Sequence, residues 1–135
     1  NVCICKIIEK KIKIFLLNKM YNKNIEQSTL KNKNYRKVVH TDENIQIVLM
    51  SLNPGENIPL ETHDGITQFF RIEQGTGYAK IGNKKILLKD GIAFTIPSGV
   101  KHYIKQTGLI PLKLYSIYSP PNHESNRIDK RQPLE

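Results

Sequence analysis

Short runs of alternating or β-branched apolar residues fill the chain from residue 36 to residue 118. Runs of roughly four to eight residues with this composition are typical of β-strands. No stretch in this region has the apolar spacing of a helix. The pattern predicts nine or ten short strands, at about 36–41, 44–52, 59–64, 68–73, 78–81, 84–88, 92–96, 102–106 and 112–118. This series predicts an all-β sandwich or barrel.

Glycine and proline stand at nearly every corner between these runs. Proline fixes φ and glycine supplies positive φ, so the two residues together are typical of tight turns. We interpret Gly55, Gly75, Gly91 and Gly99 as corners of this kind, with a structural role rather than a functional one.

The two ends differ from the central region in composition. Residues 1–35 are interpreted as a partly ordered extension. Residues 1–19 mix cysteine, lysine and isoleucine without a clear period, and a further strand or a short helix there is an alternative. A second alternative is that Met20 is the natural start and that the residues before it are translated upstream sequence. Residues 36–120 form the predicted domain, and 121–135 form a proline-led polar tail.

Composition and charge exclude several classes of protein. The chain of 135 residues fits one domain and is 39% apolar, with a net charge of +9. Its lysines are scattered, whereas nucleic-acid binding needs a concentrated basic face, so we expect no nucleic-acid partner. The run 12–17 is too short to span a bilayer, and we expect no membrane partner. Cys3 and Cys5 lie outside the predicted domain, which fits a cytoplasmic protein.

Four polar side chains form a candidate metal site. Glu61 and His63 are two residues apart and, on a strand, face the same way. Gln68 begins the next predicted strand, and His102 follows the Pro97-Ser98-Gly99 turn. A carboxylate, two imidazoles and an amide oxygen suit a divalent transition metal: Mn, Fe, Ni, Co or Zn. The alternative is a pair of buried, hydrogen-bonded histidines without a metal.

The spacing of these residues is repeated in two blocks. In residues 55–75, five residues separate the first glycine from Glu61, and four separate His63 from Gln68. In residues 91–106, five residues precede Pro97-Ser98-Gly99, and three separate His102 from Gln106. The two blocks resemble the paired motifs of the cupin superfamily. The intervening 15 residues, and the runs QFFRIEQGTG and KLYSIYSPPNH, are similar to small bacterial single-domain cupins labelled mannose-6-phosphate isomerase-like.

The resemblance implies a double-stranded β-helix (jelly roll) over roughly residues 36–120. It also implies that the four metal positions fall on Glu61, His63, Gln68 and His102. Two of these depart from the commonest pattern, since Glu61 stands where a histidine is typical and Gln68 where a glutamate is typical. Gln106 takes the place of a frequent asparagine that is not a ligand.

The other histidines and the aromatic residues lie outside this pattern. His40 and His123 are interpreted as ordinary surface or edge residues. The remaining aromatic candidates are assigned to the core or to a subunit interface rather than to ligand binding: Phe69, Phe70, Tyr115 and Tyr118.

The function predicted from the resemblance is metal-dependent chemistry on a small molecule, with a sugar-phosphate isomerase as the leading interpretation. A cupin dioxygenase and a non-catalytic module that binds a small ligand or metal are the alternatives, because this fold does not determine function. No catalytic base can be named from the sequence. A homodimer is also expected, with Arg36–Leu52 as its contact region.

Overall fold

The computed structural model describes residues 1–134 and contains two helices followed by ten strands. Strands β1–β9 follow the predicted series closely, and no helix interrupts them. The elements are α1 (Val2–Leu17), α2 (Ile25–Lys31), β1 (Arg36–Thr41), β2 (Gln46–Leu52), β3 (Asn57–Glu61), β4 (Thr67–Gln74), β5 (Gly77–Ile81), β6 (Lys84–Leu88), β7 (Ala93–Ile96), β8 (His102–Gln106), β9 (Leu112–Ser119) and β10 (Ile128–Asp129).

The strands form two antiparallel sheets that pack face to face as a jelly roll. The larger sheet has the order β10-β1-β2-β9-β4-β7, and the smaller has the order β3-β8-β5-β6. Side chains from both sheets share one hydrophobic core, in which Phe70 and Leu114 of the larger sheet meet Ile58, Ala79 and Ile104 of the smaller. Burial of this shared apolar surface is the main force that holds the two sheets together.

The predicted glycine corners are confirmed by the backbone. Gly55, Gly75, Gly91 and Gly99 have φ of 87°, 93°, 88° and 79°. One corner is also held by Gln106, whose side chain accepts a hydrogen bond from the Gly55 amide at 2.8 Å. The Gln106 amide nitrogen donates to two further carbonyl oxygens, at 2.7 and 2.8 Å. Gln106 therefore ties loops together, which agrees with its interpretation as a residue that does not bind metal.

Helix α1 projects from the rest of the chain, and none of its residues is buried. Its apolar residues are therefore exposed, among them Ile8 at 50% and Phe15 at 57%. A short helix was only an alternative interpretation of this region, because apolar residues occur on nearly all sides of α1 and blur the helical period. Within residues 1–134, neither helix has the length and apolarity that a membrane crossing requires.

Helix α2 lies against the larger sheet. Asn24 caps its first turn and accepts a hydrogen bond from the Gln27 amide at 3.0 Å. At its other end, the Lys113 ammonium on β9 donates to the carbonyls of Leu30 and Asn32 at 2.7 and 2.8 Å. A cation at a helix C-terminus offsets the negative end of the helix dipole, so this contact fixes α2 on the outside of the barrel.

The region after residue 120 returns to the sheet. Strand β10 pairs with β1, with Asp129 opposite Arg36. The Arg36 guanidinium and the Asp129 carboxylate also form an ion pair that is mostly shielded from solvent. The predicted division at residues 35 and 120 stays a prediction.

Candidate metal centre

Glu61 and His102 are brought together by strand pairing. They are cross-strand partners in β3 and β8, and Glu61 Oε1 lies 3.3 Å from His102 Nε2. His102 is 1% exposed, and its Nδ1 lies 3.0 Å from the Val100 carbonyl oxygen. Because that carbonyl can only accept, Nδ1 carries a proton, and Nε2 is the ring nitrogen that faces Glu61. This arrangement orients the imidazole for metal binding.

His63 reaches the same point from a loop. The sequence placed it on a strand with Glu61, but β3 ends at Glu61 and His63 lies two residues beyond. Its loop is held to the Pro97-Ser98-Gly99 turn, since the Gly99 amide donates to the His63 carbonyl at 3.0 Å and the Gly65 amide donates to the Ser98 hydroxyl at 2.7 Å. His63 Nε2 consequently lies 3.2 Å from Glu61 Oε1.

The ligand atoms of Glu61, His63 and His102 lie within 4.8 Å of one another. His63 Nε2 is buried and, although it is close to Glu61, it has no hydrogen-bond partner of acceptable geometry among the described residues. A buried polar atom normally has a hydrogen-bond partner. A buried imidazole nitrogen that lacks one, and that lies beside a carboxylate and a second imidazole, fits the role of a metal ligand. The residues therefore fit a divalent transition metal.

Gln68 lies at the start of β4, opposite Tyr118 on β9. It is 2% exposed, and both atoms of its side-chain amide are buried without a hydrogen-bond partner in the part of the chain that the structure describes. An unsatisfied buried amide is costly, so the residue has a reason to be there other than packing. The role of Gln68 as a fourth ligand stays a prediction.

Glu61 supplies a negative charge to the cluster. Burial raises the pKa of its carboxyl, but the hydrogen bond from His102 and the neighbouring charges of His63 and His102 outweigh this effect and lower the pKa. The carboxylate is therefore ionised at neutral pH, as a metal ligand requires.

Two residues beside the cluster were not predicted to belong to it. The Tyr118 ring packs edge-on against His63 at 5.8 Å, and its hydroxyl oxygen lies 3.2 Å from His123 Nε2. Tyr118 is 3% exposed, so its assignment to the core is confirmed, whereas the half-buried His123 packs against Tyr118 instead of facing solvent as predicted. Burial, and then the charges of Arg36 and Arg127, lower the pKa of His123 to about 4.

No local signal identifies His123 in the sequence. It lies in the polar region after residue 120, and only the return of this region to β1 brings it close to Tyr118. His40, by contrast, lies beside Asp42 at 3.0 Å and away from the cluster, and Phe69 and Tyr115 form a half-buried pair with ring centroids 6.4 Å apart.

Comparison with known proteins identifies the family. The cupin domain family matches residues 48–118. The uncharacterised protein YrkC of Bacillus subtilis (strain 168) is 45% identical over 106 residues, which are 74% of this chain and 57% of that protein. The chain thus spans little more than half the length of this relative.

Two further matches extend the comparison. A crystal structure of a protein from Bacillus halodurans has a TM-score of 0.80 and 37% identity, and the match covers 82% of this chain and 88% of that one. The mannose-1-phosphate guanylyltransferase of Escherichia coli is 29% identical over 70 residues, which are 52% of this chain and 15% of that enzyme. By its family match, its strand order and its paired motifs, the chain belongs to the cupin family.

Proposed function

We propose that this cupin is a metal-dependent enzyme that acts on a small, oxygen-rich molecule, with a sugar phosphate as the substrate class and isomerisation as the reaction. The observation that supports the proposal most strongly is the convergence of Glu61, His63 and His102 within 4.8 Å. These three residues would hold the ion, with Gln68 as the proposed fourth ligand. A bound divalent ion polarises a carbonyl or hydroxyl oxygen of the substrate.

The residues beside the cluster supply groups that can hold or move a proton. Sugar isomerisation transfers a proton between neighbouring carbon atoms, and a group close to the metal must accept and return it. Tyr118 and His123 are our candidates, because they are hydrogen-bonded to each other and Tyr118 packs on His63. With its pKa lowered to about 4, His123 is neutral at pH 7 and can accept a hydrogen bond from the Tyr118 hydroxyl, whose pKa is raised by burial, so that Tyr118 keeps its proton.

The chain is similar to a segment of the Escherichia coli mannose-1-phosphate guanylyltransferase, whose name includes a sugar phosphate. This similarity is consistent with the proposed substrate class. Tyr118 and His123 lie beside the cluster and fit an enzyme, and a module that only binds a small ligand is the alternative that the exchange experiment below tests.

We expect the metal-loaded protein to catalyse exchange of the C2 proton of mannose 6-phosphate with deuterium from solvent, measured by proton NMR. The His63→Ala/His102→Ala variant is the control and should show no exchange, because it lacks two of the ligands. Absence of exchange, together with absence of binding, for mannose 6-phosphate and other aldose phosphates would contradict the proposed substrate class.

An oxygenase is the second candidate. Two histidines and one carboxylate with open positions are the ligand set of many non-haem iron(II) oxygenases, and Glu61, His63 and His102 are such a set. Oxygen consumption by the iron(II)-loaded protein with a candidate substrate, and no isomerisation, would favour this alternative.

We also propose a homodimer in the cytoplasm. All seven residues of β2 are buried within the single chain, so Arg36–Leu52 offers less apolar surface for a partner than the sequence indicated. Helix α1 exposes more apolar surface than Arg36–Leu52 does, and exposed apolar surface of this kind favours association. The free Cys3 and Cys5 are compatible with a reducing compartment.

Light scattering should give the mass of a dimer at working concentration. The Ile8→Glu/Phe15→Glu variant should be monomeric if α1 forms the contact, while Leu87→Glu, at an exposed position on β6, is the matched control. A monomeric parent chain would contradict the dimer.

A further inference from the structure

A cleft lies away from the metal centre, between residues 19–34 and the outer side of β1 and β2. Its volume is about 870 Å³. Five lysines line it, and we call it the basic cleft: Lys19, Lys23, Lys31, Lys33 and Lys37. No aspartate or glutamate of the described residues contributes to its lining, and it shares no residue with the candidate metal centre.

The positive charge in the basic cleft is not neutralised by the chain itself. Within residues 1–134, none of the five lysines forms an ion pair with a carboxylate, and the Lys19 ammonium lies over the Phe15 ring at 4.4 Å. Asp42 and Glu43 do not line the cleft, but they line an adjoining pocket that shares Lys19 and His40 with it, and the Asp42 carboxylate is hydrogen-bonded to His40. Like charges that converge on one concavity repel one another and favour a bound anion.

The buried Lys113 adds a further positive charge beside the basic cleft. Its ammonium group is bonded to the carbonyls at the end of α2, beside the cleft. Burial lowers the pKa of Lys113, and the positive charge of Lys33 lowers it further. Lys33 and Lys113 are therefore close enough for their charges to interact.

The walls of the basic cleft also offer groups that suit an organic ligand. Tyr21 and His40 line it, with their ring centroids 6.0 Å apart and tilted by 51°. Leu49 adds an apolar contact, and Ser28 and Asn34 add groups that form hydrogen bonds. The volume of about 870 Å³ lies within the range of roughly 300–1,000 Å³ that small-molecule sites occupy.

We propose that the basic cleft binds a small phosphorylated molecule at a site separate from the metal centre. Phosphate groups carry the charge that five lysines require, and the tyrosine and imidazole rings provide a surface for the remainder of the ligand. The limited volume of the cleft, about 870 Å³, favours a small molecule over nucleic acid, because nucleic acid needs an extended basic stripe.

The test uses inorganic pyrophosphate as the probe, at constant ionic strength, with the full chain and amide NMR as the readout. We expect saturable shifts that include Tyr21, Lys31–Asn34 and Lys37–His40. The same shifts should occur in the His63→Ala/His102→Ala variant, because the cleft does not use the metal ligands. Shifts spread equally over the lysines of β5 and β6, or no saturable shift, would overturn the proposal.

Two triple variants distinguish binding at the basic cleft from nonspecific attraction to the net positive charge of the chain. Lys31→Gln/Lys33→Gln/Lys37→Gln should weaken pyrophosphate binding by about tenfold or more. Lys84→Gln/Lys85→Gln/Lys89→Gln removes the same charge from the β6 region and should leave the affinity unchanged. All six lysines are exposed, so both variants should keep the thermal stability of the parent chain. Equal weakening in both variants, or tighter saturable binding of duplex DNA at the same lysines, would refute a small-molecule site.

Discussion

The Gly75→Ala variant is expected to lose about 3 kcal/mol or more of unfolding free energy, a large fraction of the stability of a small domain. Gly75 has φ of 93°, and an added Cβ would lie 2.6 Å from the Pro111 carbonyl oxygen and 2.9 Å from Leu112 Cα. Positive φ alone costs an alanine about 1–2 kcal/mol. The remainder comes from displacing backbone atoms at the start of β9, which cannot move without disturbing the sheet.

The matched control is Gly91→Ala. Gly91 has nearly the same φ, 88°, but no atom lies within 4 Å of an added Cβ. We therefore expect it to lose only the cost of the backbone conformation, about 1–2 kcal/mol. Urea denaturation of the two variants measures the difference directly. Equal losses would contradict the close approach of Gly75 to the Pro111 backbone.

The second large effect concerns the metal ligands. His102→Ala should lower the affinity for a divalent transition metal by at least about 100-fold, because loss of an outer-shell partner alone costs about 10–100-fold. His102 is fixed by its Nδ1 contact with Val100 and faces Glu61. Competition with a chromophoric chelator measures the affinity, and His40→Ala, outside the cluster, should leave it unchanged.

The role of Gln68 is tested by Gln68→Glu. A carboxylate in place of the neutral amide adds a negative charge beside the cluster and should raise metal affinity. The metal-free variant should be less stable than the parent, since it places a carboxylate at a position that is only 2% exposed. The difference in Tm between the metal-loaded and the metal-free protein should therefore increase. An unchanged affinity would mean that Gln68 is not a ligand.

The strands could be predicted from the sequence because local rules set them. Alternation of apolar residues, with glycine or proline at each corner, defined β1–β9 to within a few residues. Phe70 and Tyr118 were also assigned correctly to the core. The positive φ values at Gly55 and Gly75 follow from the same turn chemistry.

Features that depend on distant contacts could not be predicted in this way. His63 lies past the end of β3, and its position depends on bonds to a turn more than 30 residues later. His123 reaches Tyr118 only because β10 pairs with β1. The basic cleft likewise forms where residues 19–34 fold across β1 and β2, so its lysines appear scattered along the chain.

The most direct test of the metal centre is elemental analysis of the purified protein beside the His63→Ala/His102→Ala variant. We predict close to one divalent transition-metal ion per chain in the parent and none in the variant, with both proteins folded by circular dichroism. Absence of metal from the parent, even after reconstitution with manganese, iron, cobalt, nickel and zinc, would contradict a metal centre at Glu61, His63 and His102.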